Sequence, residues 1–327
     1  MILFWAALLA VAILLYVLLD GFDLGVGILF AFAGEPHRGR MLAAISPVWD
    51  GNETWLVITG TVLFGAFPAA YAALLSAFYL PLVLMLCALI LRGVAFEFRS
   101  RALTGFRWIW DVSFAGGSLV ATFVQGMTVG ALVQGLPMKD GHYVGGTLGW
   151  FSPFAALCGL GLVLGYSLLG ASWLVRKCEG PIRERAYQLL PVFTVGVLAF
   201  LATALVLALT MHLSLMSRWL ERPYLLIFPL IGATSAIGLL KGVQRGNDLA
   251  PFRFSVLIFI AAFGTLACSF WPYMIPFVLA VDQAASPSAS LTFMFWGAGL
   301  FVMPLTLIYT LVVYRLFHGR VADMGHE

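Results

Sequence analysis

Apolar runs long enough to cross a lipid bilayer recur nine times in this chain, at about 2–32, 53–75, 77–98, 111–135, 150–175, 189–213, 224–241, 254–280 and 291–317. A hydrocarbon core roughly 30 Å thick takes about 20 residues of helix per crossing. Backbone groups find no water there, so crossing segments are helices or closed barrels. None of the runs alternates with the period of two that a barrel strand shows. The chain is therefore read as an all-α polytopic membrane protein with nine transmembrane helices, forming one integral membrane domain over 1–327. Its 327 residues are 10% charged, against about 25% in an ordinary soluble domain. A net charge of +3, scattered over short loops, excludes a nucleic-acid surface.

The loops set an orientation. When they are assigned to alternate sides, one side holds 14 of the 18 Lys and Arg, the other holds Lys139, Arg218 and Arg222, and Arg92 lies inside the third run. Basic loops stay in the cytoplasm, which places the amino terminus outside, the carboxyl terminus inside, and an odd number of crossings between them. The first charged residue is Asp20 and the first basic one Arg38. The first run thus lacks the basic start of a signal peptide and reads as a retained crossing.

Ionisable groups inside spans are costly and need a partner, a wet cavity or a neutral state. Asp20 and Asp23 stand three residues apart in the first span, toward its cytoplasmic end. Span two opens with Trp49, Asp50 and Glu53, followed by Trp55. There, helix capping explains the carboxylates as well as function does, and an interfacial belt explains the tryptophans. Arg92 is the one basic residue well inside a span and reads as the neutraliser of a buried carboxylate, with Asp20, Asp23 and Glu97 as alternatives. Asp111, after Trp108 and Trp110, starts span four as a cap or a site residue. Gly21 with Gly25, and Gly126 with Gly130, have the spacing that lets helices approach closely, and Gln125 and Gln134 read as interhelical hydrogen-bonding groups.

Other chemistries find little support. Haem iron is usually held by His or Met, but His37, His142, His212, His318 and His326 all fall in loops, span ends or the tail. Interior methionines such as Met85 and Met127 read as core filler. Cys87, Cys158, Cys178 and Cys268 have neither zinc nor disulfide spacing. No Gly-rich nucleotide loop or Ser-His-Asp arrangement is present.

Several of these segments together resemble one family: 19–27 (LDGFDLGVG), 47–52 (PVWDGN) with Trp55, 92–99 (RGVAFEFR), Trp110 with Asp111, Trp173, Glu179 with Gly180, Pro272 with Tyr273 and Pro276, and 286–292. The chain is similar to subunit II of the cytochrome bd-type quinol oxidases, including the cyanide-insensitive branch. The resemblance implies two four-helix bundles, 1–136 and 150–281, plus a peripheral ninth helix at 291–317, in a bacterial inner membrane. It implies a similarly folded subunit I that carries two b-type haems, a d-type haem or a b-type variant, and the quinol site, with no catalytic or metal-ligating residue in this chain. A small single-span accessory subunit is a further partner seen in the family.

Carried over residue by residue, Asp20, Asp23 and Asp50 become a proton route, supported by Glu53, Arg92, Glu97 and Asp111. Trp49 would lie near a structural quinone and Trp55 near an apolar path for oxygen. The implied complex oxidises quinol, reduces oxygen to water with protons from the cytoplasm, and separates charge without a pump. Two other classes share the same residues. Paired carboxylates with glycines also mark a stand-alone proton-coupled transporter, and a purely structural partner of a haem protein conducts nothing.

Overall fold

Helix α1 (Ile2–Phe30) changes character halfway along: up to Leu19 exposed and buried residues mix, and from Asp20 to Phe30 every residue is buried. Glycine makes that possible. A Cβ on Gly25 would overlap the carbonyl oxygen of Tyr166, and one on Gly170 would overlap the Gly25 backbone, so α1 and the helix bearing Tyr166 touch main chain to main chain. The computed structural model describes residues 1–139, 142–211, 213, 219 and 221–321. His212, Arg218 and His326 lie outside them.

A short helix α2 (Glu35–Ala43) follows, begun by Pro36. Next come α3 (Trp49–Ala66) and α4 (Pro68–Ala77), broken at Phe67. Pro68 disfavours helical geometry in the residue before it, and Phe67 sits at φ −135°, ψ 58°. Then α5 (Tyr79–Phe98), α6 (Arg107–Gln134) and α7 (Pro153–Lys177) lead to α8 (Gly180–Thr210). The chain continues through α9 (Ile227–Gln244), α10 (Ala250–Phe270), α11 (Ser288–Met294), a π turn at Phe295–Gly299, and α12 (Val302–Leu316).

Among the described residues eight helical segments are long and apolar enough to cross a membrane, and the chain is an all-α polytopic membrane protein. The expected span at 53–75 is the one that does not qualify as a single helix. Asp50, Asn52, Glu53 and six threonine or glycine positions of α3 thin its apolar content, and Pro68 divides it. The run expected to reach 280 stops as a helix at Phe270. Pro272 and Pro276 cannot donate to a helical ladder, and the segment instead pairs Tyr273–Ile275 with Leu279–Ala280 as a small antiparallel ribbon.

The core forms around α1, which is flanked by α3, α6 and α7. Gly126 and Gly130 of α6 meet Cys158, Gly159 and Ala155 of α7, the close approach their spacing predicts. Gln125 bonds both Tyr16 and Tyr166, and Gln134 accepts from Ser152, the residue that caps α7.

After α12 the chain folds back. Lys177 Nζ donates to the carbonyls of Phe317 and Gly319, and the Val321 amide donates to Lys177 O at 2.9 Å. Arg320 bridges Glu179 at 2.7 Å and Asp248 at 2.5 Å, and Asp248 also takes Arg183 at 2.7 Å and Tyr187 at 2.5 Å. Burial opposes ionisation of Asp248, but the hydrogen bonds from Arg183 and Tyr187 and the charges of Arg183 and Arg320 outweigh it and hold the carboxyl below its ordinary range.

Candidate functional site

Arg92, in the last two turns of α5, turns toward α1 and α3 instead of toward lipid. Its Nη1 donates to Asp20 Oδ1 at 2.9 Å and to Glu53 Oε1 at 3.1 Å. Arg92 is 1% exposed, Asp20 0% and Glu53 26%, so the group opens outward only through Glu53. Of the three partners open to Arg92, the structure selects Asp20 and adds Glu53. Glu97 is exposed and in none of these contacts. Five residues separate Arg92 and Glu97, about 140° around a helix, so both cannot face α1.

Asp23 is also fully buried, one helical step along α1. Its Oδ2 accepts from Asn52 Nδ2 at 2.7 Å, the same amide donates to Leu19 O at 3.2 Å, and Tyr314 donates to Asn52 Oδ1 at 3.0 Å. One guanidinium therefore stands among three carboxyl groups. In a medium of low dielectric, electroneutrality calls for protons on the carboxyls it does not balance. Asp20 Oδ2, Asp23 Oδ1, and Arg92 Nε and Nη2 are buried without a hydrogen-bond partner among the described residues. Such atoms take up water or exchange a proton far more cheaply than they stay unpaired.

Polar groups continue past Asp20 toward the middle of the bundle. One turn back on α1, the Tyr16 hydroxyl accepts from Gln125 Nε2 at 2.6 Å, and Tyr166 donates to Gln125 Oε1 at 3.2 Å. Trp55 packs with Ala12, Tyr16 and Met303 and is fully buried, its Nε1 unpartnered, so it is no part of an interfacial belt. Trp49 is half-buried, its ring 4.8 Å from Phe96.

Asp50, in the first turn of α3, is exposed and stands three residues before Glu53. Asp111 belongs to a separate group: it accepts from Arg38 at 2.7 Å and from Arg99, and both guanidinium groups lie over the Phe30 ring, at 5.3 and 5.5 Å. Arg99 also pairs with Glu35 at 3.1 Å. The site thus joins Asp20, Asp23, Glu53 and Arg92, has Asp50 at its rim, and leaves Glu97 and Asp111 aside. Sequence reasoning missed Asn52, Tyr314, Tyr16 and Tyr166. A hydroxyl or amide within an apolar span was the available signal.

Among the described residues no group of three or more His, Cys, Asp or Glu is arranged to hold a metal ion. Met85 and Met127 are buried in apolar clusters. His37 lies on α2, His142 in the ribbon with Met138–Lys139, and His318 beyond α12.

Fold and site together define a polytopic membrane protein with a buried charge cluster and, among its described residues, no metal-holding group. The family profile described as "Cytochrome bd terminal oxidase subunit II" matches residues 1–317. The "Probable cytochrome oxidase subunit 2" of Haemophilus influenzae is 31% identical over 97% of this chain and 94% of that protein. The "Cytochrome bd-I ubiquinol oxidase subunit 2" of Escherichia coli K12 is 29% identical over 99% and 96%. In fold the chain is similar to the bd oxidase structure from Geobacillus thermodenitrificans, with a TM-score of 0.77 and 16% identity over 96% of this chain and 98% of that one. The chain belongs to the family of cytochrome bd terminal oxidase subunit II. Its role is that of the non-catalytic second subunit of a bd-type quinol oxidase complex in respiration, as a multi-pass protein of the inner membrane.

Proposed function

We propose that this subunit gives protons a path from the cytoplasm into the oxidase, entering at Asp50, passing Glu53 and reaching Asp20 and Asp23 beside Arg92. The observation that carries the reading is the gradient of exposure along one line of carboxyls. Asp50 is exposed, Glu53 is 26% exposed, and Asp20 is shut off at 0%. The guanidinium offsets negative charge along the line, so a proton is taken up and passed on without leaving a bare carboxylate in hydrocarbon. Haems expected on a partner subunit I, two b-type and one d-type or a b-type variant, supply the redox chemistry of quinol oxidation and oxygen reduction. This chain's part is to deliver the protons that water formation consumes. Quinol protons leave on the other side, so charge is separated without a pump.

The same reading has nine crossings, with the amino terminus periplasmic and the carboxyl terminus cytoplasmic. The helix pair α3–α4 supplies the ninth. Asn52 at its start reaches Leu19 in the later half of α1, while Ala77 at its far end packs in one cluster with Leu136 and Trp150, beyond the opposite end of α6. Fourteen of the 18 basic residues on one side support the orientation. Residues 1–136 and 150–281 are taken as two four-helix bundles and 291–317 as a peripheral ninth helix. Trp49 is assigned to the neighbourhood of a structural quinone and Trp55 to an apolar oxygen path; a small single-span subunit is a further partner.

The test is oxygen consumption by complexes carrying Asp20→Asn or Asp50→Asn, read together with haem content. Slower turnover at full haem content is expected. Unchanged turnover in well-assembled complexes overturns the route, and loss of haem instead favours a structural role for these residues.

A further inference from the structure

Two residues outside the carboxyl line, Asn52 of α3 and Tyr314 of α12, decide how Asp23 presents its acid group. The Asn52 amide has one orientation compatible with its surroundings. Nδ2 spends one hydrogen on Asp23 Oδ2 at 2.7 Å and the other on Leu19 O at 3.2 Å, while Oδ1 accepts the Tyr314 hydroxyl at 3.0 Å. A flipped amide would set its oxygen against two acceptors.

Tyr314 itself has little freedom. Its ring meets Phe22 edge-on at 6.4 Å and Trp173 at 6.1 Å, and the end of its helix is tied to α7 through Lys177, which donates to the carbonyls of Phe317 and Gly319. The charged and titratable groups around Asp23 are Asp20 on its own helix, Glu53 of α3, Arg92 of α5 and Tyr314 of α12. Arg176 of α7 is a further charge near Tyr314, its guanidinium 5.7 Å from the Trp173 ring that Tyr314 meets.

We propose that Asn52 and Tyr314 are positioning residues for proton transfer at Asp23. They keep Oδ2 as a fixed acceptor, so Oδ1, buried and without a partner among the described residues, is the oxygen that takes the proton and gives it up. The proton arrives by way of Glu53, is taken up at Asp23 and passes to Asp20, one turn deeper on α1, and the Asp23 carboxyl is unchanged after each passage. The inference rests on the proton-route reading and adds two residues, from α3 and α12, that touch no reacting group except through Asp23.

The experiment uses the assembled oxidase complex and the infrared band of Asp23, identified as the carboxyl or carboxylate band lost in Asp23→Asn. Tyr314→Phe removes one hydroxyl and keeps the ring. It is expected to shift that band and displace the pH profile of oxygen reduction while haem content stays full. Asn52→Ala is expected to shift the band as far alone as together with Tyr314→Phe, because the hydroxyl acts only through the amide. Should either variant fail to assemble, the other still reads the same band. An unmoved band and profile in Tyr314→Phe, or additive shifts in the double variant, overturn the positioning. Slow turnover in Asp23→Asn beside an unmoved band in Tyr314→Phe overturns the positioning and leaves the route standing. Normal turnover in Asp23→Asn overturns the route whatever the band does.

Discussion

Arg92 donates to Asp20 across 2.9 Å with both side chains shut off from solvent, at 1% and 0% exposure. Breaking such a pair by removing one member leaves an uncompensated charge and costs about 3–5 kcal/mol, far more than an exposed pair is worth. Arg92→Gln is accordingly expected to lower the thermal unfolding temperature of the purified complex sharply. Adding Asp20→Asn is expected to restore part of the loss, because the double variant no longer leaves the fully buried Asp20 carboxylate without its partner. Thermal melts of the two variants side by side check this.

Contact between α1 and α7 depends on Gly25. A Cβ there would collide with the Tyr166 carbonyl, which cannot rotate away as a side chain could. Gly25→Ala is expected to cost about 1–3 kcal/mol, the usual range for overpacking, and to lower the yield of assembled complex. Gly60→Ala on the exposed side of α3 serves as the control, since nothing lies within 4 Å of a Cβ at that position. Equal melting temperatures for the two variants would contradict the close approach.

The segment after α12 is held by Asp248, whose carboxyl titrates below its ordinary range because Arg183, Tyr187 and Arg320 outweigh the effect of burial. A depressed folded value means that the stabilisation is fully present above the unfolded value of about 3.9 and is lost as pH falls through the lower folded one. Protection of the Val321 amide, which donates to Lys177 O, against hydrogen exchange, taken relative to the intrinsic rate at each pH, is expected to stay high at neutral pH and to fall below about pH 4. In Asp248→Asn that protection should be low at every pH.

Eight of the nine expected spans and the buried charges were legible in the sequence because both follow from one-dimensional rules of length and cost. Pairing was only half legible. That Arg92 needs a carboxylate followed from its place in an apolar run. Glu53 became a partner only because α3 enters beside α5, and Glu97 dropped out through its angle on the α5 helix. Asn52 and Tyr314 lie 262 positions apart, and no local pattern links them. The break at Phe67 was written in Pro68, and the low apolar content of α3 keeps the segment at 53–75 from qualifying as a single membrane span.

The most direct test follows proton uptake during oxygen reduction in vesicles with the complex in one orientation and a pH dye on the cytoplasmic face. With Asp20→Asn at full haem content, uptake and oxygen reduction are expected to slow together by about tenfold or more, equivalent to about 1.4 kcal/mol of added barrier. Uptake as fast as in the unmodified complex, with the variant fully assembled, would contradict a proton path through Asp20.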